Sequence, residues 1–279
     1  MEDALRRETS KRKSLERELE EQRRFATERL HSELALAREI QQGLLPESKP
    51  AWDGVRLRCF SKPAFEVGGD FYTHKASANP RALLSKYVVA VGDVSGKGVA
   101  AALLMATALS KLDGCLETRL KSTEILAHLD KALLPYAKPR RQNCALCYVE
   151  IVGVNTVRPV MRVANAGCLP PYLKRADGSV QWIEACGPPL GHGLGAKAGY
   201  PEVTELLTKG DMIILTSDGV VEAQNPAGEV FGFQRLEDTI ANGPTSDAGA
   251  MLDHLKAELD DFVAGQDPHD DMTLVVVGL

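Results

Sequence analysis

Near the middle of the chain the sequence reads Tyr87-Val88-Val89-Ala90-Val91-Gly92-Asp93, an apolar run that ends in glycine and a carboxylate. A short apolar run bounded by glycine is typical of a buried strand. The pattern recurs at residues 212–218, where an apolar run leads to Asp218, and it is reversed at 270–277, where Asp270 precedes the run. Because the end of a strand is rigid and lies at the rim of a sheet, these carboxylates are predicted to serve a functional site.

After residue 50 the chain is predicted to consist of short strands and a few helices. Apolar runs and alternation predict strands at residues 55–60, 87–91, 145–154, 159–163, 172–174, 180–182, 212–216 and 273–277. Helices are predicted at residues 99–112, 123–134, 233–240 and 248–262. Because strands and helices do not alternate one for one, antiparallel sheets covered by helices are favoured, and the predicted fold class is α+β.

Residues 1–45 are predicted to form a separate helical arm, since they are rich in Glu, Arg, Lys, Leu and Ala and contain no proline. Apolar residues recur in heptad spacing at Leu19, Ala26, Leu30, Ala37, Ile40 and Leu44. Arg23 and Glu33 interrupt this row. A coiled coil that pairs the arm in a homodimer is favoured over a solvated helix packed on its own domain. The Pro-containing linker 45–50 ends the helix, and a second domain is predicted over residues 51–279.

The bulk composition restricts the class of protein. The 279 residues are 44% hydrophobic and 25% charged, as in globular domains. With 33 Lys and Arg against 38 Asp and Glu, the net charge is −5, which argues against nucleic acid as a partner. The charged N-terminus lacks the apolar core of a signal peptide, and no run approaches the ~18 uninterrupted apolar residues of a membrane span. A cytoplasmic protein with no membrane span in this chain is predicted.

The six cysteines are predicted to be reduced and mostly buried. They are Cys59, Cys115, Cys144, Cys147, Cys168 and Cys186. A domain of this size does not need disulfides, and most of these residues lie in apolar or strand-like surroundings. Cys144-x-x-Cys147 has the spacing of half a zinc site, but no second pair with ligand spacing accompanies it. Two residues of a core strand are therefore the favoured interpretation.

Four aspartates carry the chemistry predicted from the residues alone. Asp70 follows Gly68-Gly69, and Asp93, Asp218 and Asp270 lie at the ends of apolar runs. Converging carboxylates repel one another unless a cation lies among them. Carboxylate oxygens without His or Cys select hard ions such as Mg²⁺ or Mn²⁺. A single Asp-Gly is usually a structural turn, but several strand-end aspartates in one domain favour a metal site.

Five motifs follow one another along the chain around these aspartates. They are Val67-Gly68-Gly69-Asp70-Phe71-Tyr72, Gly92-Asp93-Val94-Ser95-Gly96-Lys97-Gly98, Asn165-Ala166-Gly167, Thr216-Ser217-Asp218-Gly219-Val220-Val221-Glu222-Ala223 and Asp270-Asp271-Met272-Thr273. This ordered set resembles the PPM metal-dependent phosphatases, in the bacterial branch typified by the stage II sporulation protein E and its stress-response relatives. The resemblance covers about residues 36–279. It implies a four-layer α-β-β-α sandwich of two antiparallel sheets. Asp271 stands where relatives carry Asn or Asp, which leaves its role open.

The resemblance also implies a mechanism and a role for each site residue. Asp93 would bridge two metal ions, Mn²⁺ or Mg²⁺, and the Val94 carbonyl would complete one of them. Asp218 and Asp270 would hold the other ion, and Asp70 would hold metal-bound water. A metal-bridging water would attack the phosphorus of phosphoserine or phosphothreonine on a regulatory protein, such as an anti-sigma-factor antagonist, without forming a phosphoenzyme.

Three alternatives to a phosphatase are weaker on the residues. Gly68-Gly69-Asp70-Phe71 resembles part of a diguanylate cyclase signature, but Phe71 stands where an acidic residue is required. Gly96-Lys97-Gly98 lacks the preceding glycine and the Ser or Thr of a phosphate-binding loop. The alternative retained is a non-catalytic member that binds a signalling partner through its helical arm. The presence of Asp at every implied ligand position argues against that alternative.

Overall fold

The structure is a computed structural model that describes residues 2–76, 84–245 and 247–279. It divides into two compact units, Met1–Gly43 and Leu44–Leu279. The first unit is occupied by α1, a continuous helix over Glu2–Leu44. The predicted long N-terminal helix is confirmed, whereas its pairing in a coiled coil stays a prediction.

Helix α1 exposes both ion pairs and apolar side chains. Three ion pairs of its described side chains are of the i,i+4 kind: Arg12–Glu16, Arg24–Glu28 and Arg29–Glu33. Each exposed pair of this kind contributes only about 0.3–0.5 kcal/mol. Among the described side chains of the helix, the exposed large apolar ones are Leu15, Leu19, Phe25, Leu30, Leu36, Ile40 and Leu44.

The second unit contains ten strands and six α-helices within its described residues. The strands are β1 (Arg56–Lys62), β2 (Phe71–Ala76), β3 (Lys86–Val94), β4 (Cys144–Val152), β5 (Val160–Ala166), β6 (Tyr172–Lys174), β7 (Val180–Trp182), β8 (Glu202–Leu206), β9 (Met212–Thr216) and β10 (Met272–Gly278). The helices are α2 (Val99–Leu116), α3 (Ser122–Ala137), α4 (Gly195–Ala198), α5 (Asp218–Val221), α6 (Gly232–Asn242) and α7 (Ala248–Val263).

The strands form two five-stranded sheets, in the orders β1-β10-β9-β6-β7 and β2-β3-β4-β5-β8. Every neighbouring pair within them is antiparallel. Successive side chains of a strand point to opposite faces, so Tyr148 of β4 faces the core under α2 and α3 while Val149 faces the other sheet. In β10, Val275 lies in the core between the sheets and Val276 lies in the core under α6 and α7. The predicted α+β class and its α-β-β-α layers are confirmed.

Two strands and several boundaries differ from the prediction. Strand β2 was not predicted, because Thr73-His74-Lys75 is polar and the strand forms by pairing with β3. Edge strand β8 alternates between exposed and half-buried residues, with no apolar run to mark it. Helix α3 continues through Pro135 to Ala137, beyond the predicted end at residue 134.

Helix α2 is the one described helix that is long and apolar enough to cross a membrane by length and composition. Its buried side chains, among them Leu104, Met105 and Leu112, instead pack in the core formed with α3 and the sheet. That packing is typical of the core helix of a globular domain.

Candidate metal centre

The strand registers bring the four predicted aspartates to one rim of the sandwich. Phe71 pairs with Gly92, so the residues that flank this pair, Asp70 and Asp93, lie at adjoining strand ends. In the other sheet the amide of Ser217 donates a 3.1 Å hydrogen bond to the Thr273 carbonyl. Asp218, which follows β9, and Asp270, which precedes β10, therefore lie at the same end of this sheet.

Two glycines allow the backbone segments of this rim to approach closely. A Cβ on Gly69 would lie 2.5 Å from the carbonyl oxygen of Val94, and the Val94 amide donates to the Gly69 carbonyl at 3.3 Å. A Cβ on Gly219 would lie 2.1 Å from the carbonyl oxygen of Asp271. Both contacts are with backbone atoms, so a side chain at either glycine would displace the strand ends that carry the aspartates.

Asp70 is a buried carboxylate with an unused acceptor. The residue is only 6% exposed, and its Oδ2 has no hydrogen-bond partner. Burial and the charge of Asp93 raise its pKa well above the usual range, and the neighbouring hydroxyl groups of Ser217 and Thr273 partly offset that rise. A buried carboxylate oxygen without a partner is costly, so this oxygen marks a place for a cation or a donor.

The two sheets are electrostatically coupled through Asp93 and Asp218. Burial, followed by the charges of Asp218, Asp270 and Asp271, raises the pKa of Asp93 to about 7. Burial and the charge of Asp270 raise the pKa of Asp218. Burial and the charges of Asp218 and Asp270 also raise the pKa of Glu222, which follows Asp218 by one helical turn. Glu222 was quoted in a sequence motif but was given no role.

Asp270 is paired with a lysine that the sequence analysis did not assign to the site. Lys97 Nζ lies 3.2 Å from Asp270 Oδ2 and also donates to the His269 carbonyl. The only signal for Lys97 in the sequence was the Gly96-Lys97-Gly98 turn, which was considered as a phosphate loop and rejected. Among the described residues, no three His, Cys, Asp or Glu side chains lie close enough together to hold an ion in this arrangement.

Asp271 has a structural role that is distinct from that of its neighbour. Its Oδ1 accepts a 2.7 Å hydrogen bond from the Ala64 amide, and its Oδ2 accepts bonds of 2.6 and 3.4 Å from the Gly69 and Asp70 amides. Both oxygens are thus occupied by backbone donors. Asp271 fastens the loop that carries Asp70 to the start of β10.

Comparison with known proteins identifies the family. Residues 85–279 match the family model described as stage II sporulation protein E (SpoIIE). The phosphoserine phosphatase RsbU of Bacillus subtilis strain 168 is 30% identical over 258 residues, which cover 89% of this chain and 70% of RsbU. The chain belongs to the SpoIIE family. The family resemblance deduced from the motifs is confirmed.

Solved structures support the fold of this SpoIIE-family chain. The SiaA-PP2C domain of Pseudomonas aeruginosa has a TM-score of 0.77 at 23% identity, covering 91% of this chain and 98% of that domain. The PP2C phosphatase domain of SpoIIE from Bacillus subtilis, with a fragment of its regulatory domain, has a TM-score of 0.67 at 22% identity, covering 83% of this chain and 64% of that one. At these identities the likeness concerns the fold alone.

The residues at the rim of this SpoIIE-family domain fit a hard divalent cation. Asp70 supplies a buried oxygen without a partner, and burial together with neighbouring carboxylates raises the pKa values of Asp93 and Asp218. The Val94 carbonyl lies against Gly69 beside them. An all-oxygen donor set of this kind suits Mg²⁺ or Mn²⁺ rather than a softer metal.

The cysteines do not form a competing site. Cys144 packs in the core under α2 and α3, whereas Cys147 packs in the core between the sheets, so the two side chains point to opposite faces of β4. Their interpretation as core residues is confirmed. Burial raises the pKa of the Cys147 thiol to about 12 and raises that of Cys168 well above its usual range. All six thiols are free, and Cys186 is the exposed one.

Proposed function

We propose that this chain is a metal-dependent serine/threonine protein phosphatase that hydrolyses phosphoserine or phosphothreonine on a regulatory protein. Membership of the SpoIIE family and similarity to a phosphoserine phosphatase support this activity. The observation that carries the proposal is the meeting of strand ends from both sheets, with the pKa of Asp93 raised to about 7 by burial and by the carboxylates of the opposite sheet.

Each aspartate of the rim has a proposed role. Asp93, the Val94 carbonyl, Asp218 and Asp270 would hold the metal ions. Two bound Mn²⁺ or Mg²⁺ ions would lower the pKa of water for attack on phosphorus and would neutralise the phosphate oxygens. The buried Asp70 oxygen, which has no protein donor, would orient a water molecule by accepting a hydrogen bond from it.

A cysteine nucleophile is disfavoured by the same structure. A thiol acts as a nucleophile in its thiolate form. Burial raises the pKa of Cys147 to about 12, and burial, followed by the charges of Cys147, Asp93 and Asp70, raises the pKa of Cys168 well above its usual range. Direct attack by water on the phosphate, with no phosphoenzyme, is the mechanism that these residues favour.

The substrate and location are inferred from relatives and from composition. RsbU is named as a phosphoserine phosphatase, and a similar solved structure holds the RsbU and RsbW domains of Rv1364c from Mycobacterium tuberculosis. We propose a phosphorylated regulatory protein of the anti-sigma-factor-antagonist kind as substrate. A cytoplasmic location is proposed as well, consistent with six free thiols.

Metal-dependent hydrolysis tests the proposed function. The purified chain should hydrolyse para-nitrophenyl phosphate and a phosphoserine peptide in Mn²⁺ or Mg²⁺, and excess chelator should remove the activity. Restoring the ion should restore the rate. A wild-type protein that is folded but inactive on both substrates in either ion would contradict the proposal and favour the non-catalytic alternative.

We further propose that residues 1–45 pair in a homodimer. The exposed row that includes Leu19, Leu30 and Ile40 supports this pairing. Ile40→Asp places a charge in the row and should shift the sedimenting species towards monomer. Ser32→Asp serves as the matched control outside the row and should leave the association unchanged. A wild type that is monomeric at micromolar concentration would contradict the pairing without affecting the proposed activity.

A further inference from the structure

We propose that Lys97 binds the phosphate group of the substrate. This inference rests on the proposed phosphatase function and adds to it a phosphate-binding side chain that the sequence motifs did not assign.

Lys97 lies on a sharp turn between β3 and α2. Gly96 and Gly98, which flank it, have φ angles of 96° and 72°, a backbone conformation that favours glycine. The turn directly follows the β3 end that carries Asp93 and Val94. Lys97 is thus fixed to the rim of the candidate metal centre by its own backbone.

The ammonium group of Lys97 contacts the aspartate cluster through a partly exposed ion pair. It pairs with Asp270 at 3.2 Å, and the two side chains keep exposed fractions of 47% and 36%. Burial and the charge of Asp270 raise the pKa of Asp218, burial and the charges of Asp218 and Asp270 raise that of Glu222, and the charge of Lys97 offsets a small part of both rises. A partly exposed cation therefore lies beside Asp218 and Asp270, two of the proposed ligands.

Phe65 is a second neighbour of the Lys97 ammonium. The ammonium is 5.8 Å from the centroid of the exposed Phe65 ring, within the range of a cation–π contact. Phe65 follows Ala64, whose amide donates a hydrogen bond to Asp271. The ammonium thus contacts an aromatic ring as well as the segment of His269 and Asp270.

The chemistry of a phosphate monoester matches this position. A phosphate monoester carries between one and two negative charges near neutral pH and has several acceptor oxygens. The candidate centre is lined by carboxylates, so an incoming anion needs cationic groups that face it. A lysine offers a compact charge with three donors. Because a partly exposed ion pair is weak, exchanging Asp270 for a phosphate oxygen costs little.

Calorimetry with inorganic phosphate tests the inference on the full chain in Mg²⁺. Lys97→Met removes the charge and keeps most of the stem, Lys97→Arg keeps the charge, and Lys131→Met on the exposed face of α3 is the control. Lys97→Met should weaken phosphate binding about tenfold or more, which corresponds to about 1.4 kcal/mol. Lys97→Arg should stay within a few-fold of the wild type, and Lys131→Met should not change it. For a phosphoserine peptide, KM should rise more than kcat falls.

The outcomes separate phosphate binding from a purely structural role. If Lys97 only balances the carboxylates, Lys97→Met will change the affinity for Mg²⁺ and leave phosphate binding at the wild-type value, which overturns the inference. If Lys97→Met does not fold, as judged by circular dichroism, Lys97→Gln replaces it with the same expectation. An inactive wild type would contradict the proposed function itself, whereas an active wild type with an unaffected Lys97→Met contradicts this inference alone.

Discussion

Two regions of the domain hold buried carboxylates in opposite ways. Asp130 in α3 is fully buried, and it accepts hydrogen bonds of 2.8–3.1 Å from the backbone amides of Gly191, His192, Gly193 and Ala196. Asp70 at the rim is almost as buried, but one of its oxygens has no partner and the charge of Asp93 acts on it.

The difference shows that burial of an acidic residue does not by itself mark a functional site. Four amide dipoles compensate the charge of Asp130, so this carboxylate fixes a loop and has no acceptor left for a ligand. At the rim, carboxylates face one another, and only an added cation compensates them. The two consecutive residues Asp270 and Asp271 show the same contrast. Backbone amides donate hydrogen bonds to Asp271, whereas Asp270 forms an ion pair with the side chain of Lys97.

Neutralising a rim carboxylate should have the largest effect, which is expected to be a loss of catalytic activity. Asp93→Asn and Asp218→Asn each remove a proposed metal ligand, and a loss on the order of 10³-fold or more in kcat is expected, because bound metal supplies several kcal/mol to catalysis. The melting temperature in excess chelator should not fall, since repulsion is removed. Asp253→Asn on the exposed face of α7 is the control. Near-wild-type rates for either variant in saturating Mn²⁺ would refute the assignment.

Neutralising Asp130 should have the reverse effect. Asp130→Asn leaves one acceptor and turns an NH₂ group towards backbone donors, so a loss of roughly 2–4 kcal/mol in the free energy of unfolding is expected. The melting temperature should fall by roughly 5–15 °C. Below that temperature the rate and its Mn²⁺ dependence should match the wild type. A change in half-saturating Mn²⁺ with unchanged stability would show that the two regions are not separate.

The pH dependence of the free energy of unfolding should also distinguish the two regions, with a smaller effect than the substitutions above. Asp93 has a pKa of about 7 in the folded chain, against about 3.9 for an unperturbed Asp. Between these values the folded state binds more protons than the unfolded state, so the free energy of unfolding falls as pH rises. In chelator, the wild type should melt roughly 2–4 °C higher at pH 5.5 than at pH 8, for a difference on the order of 1 kcal/mol. Asp93→Asn should reduce that difference.

Thiol modification should have the smallest effect. Four of the cysteines are buried, and burial raises the pKa of Cys59 and Cys147 to about 12. Treating the native protein with N-ethylmaleimide should therefore leave turnover within about twofold of the untreated rate. Detection of a phosphocysteine during turnover would contradict direct attack by water.

Antiparallel sheets covered by helices could be predicted because strands such as β9 and β10 are short apolar runs with two buried faces, whereas the four-layer arrangement was implied only by the family resemblance. The carboxylates Asp218 and Asp270 were predicted because each lies within two residues of such a run. Strand β2 escaped prediction because its polar residues are held by the register with β3 rather than by their own pattern. Edge strand β8 has too little apolar character to be distinguished from a loop.

The different roles of the site residues could not be predicted from their spacing in the sequence. Asp270 and Asp271 are adjacent and chemically identical, and only the positions of the Ala64 and Gly69 amides give Asp271 its structural role. Lys97 follows Asp93 closely in sequence, but its pairing with Asp270 depends on a contact across 173 positions. Contacts that join distant segments set these roles, and no local pattern encodes them.

The single exposed thiol gives this chain a natural attachment point for a spectroscopic probe. Cys186 is exposed, whereas the other five cysteines are buried or half-buried. A maleimide spin label would therefore attach at one position without any engineered cysteine. In an assembly of two chains, pulsed electron paramagnetic resonance would then yield one inter-label distance, and in a monomer it would yield none.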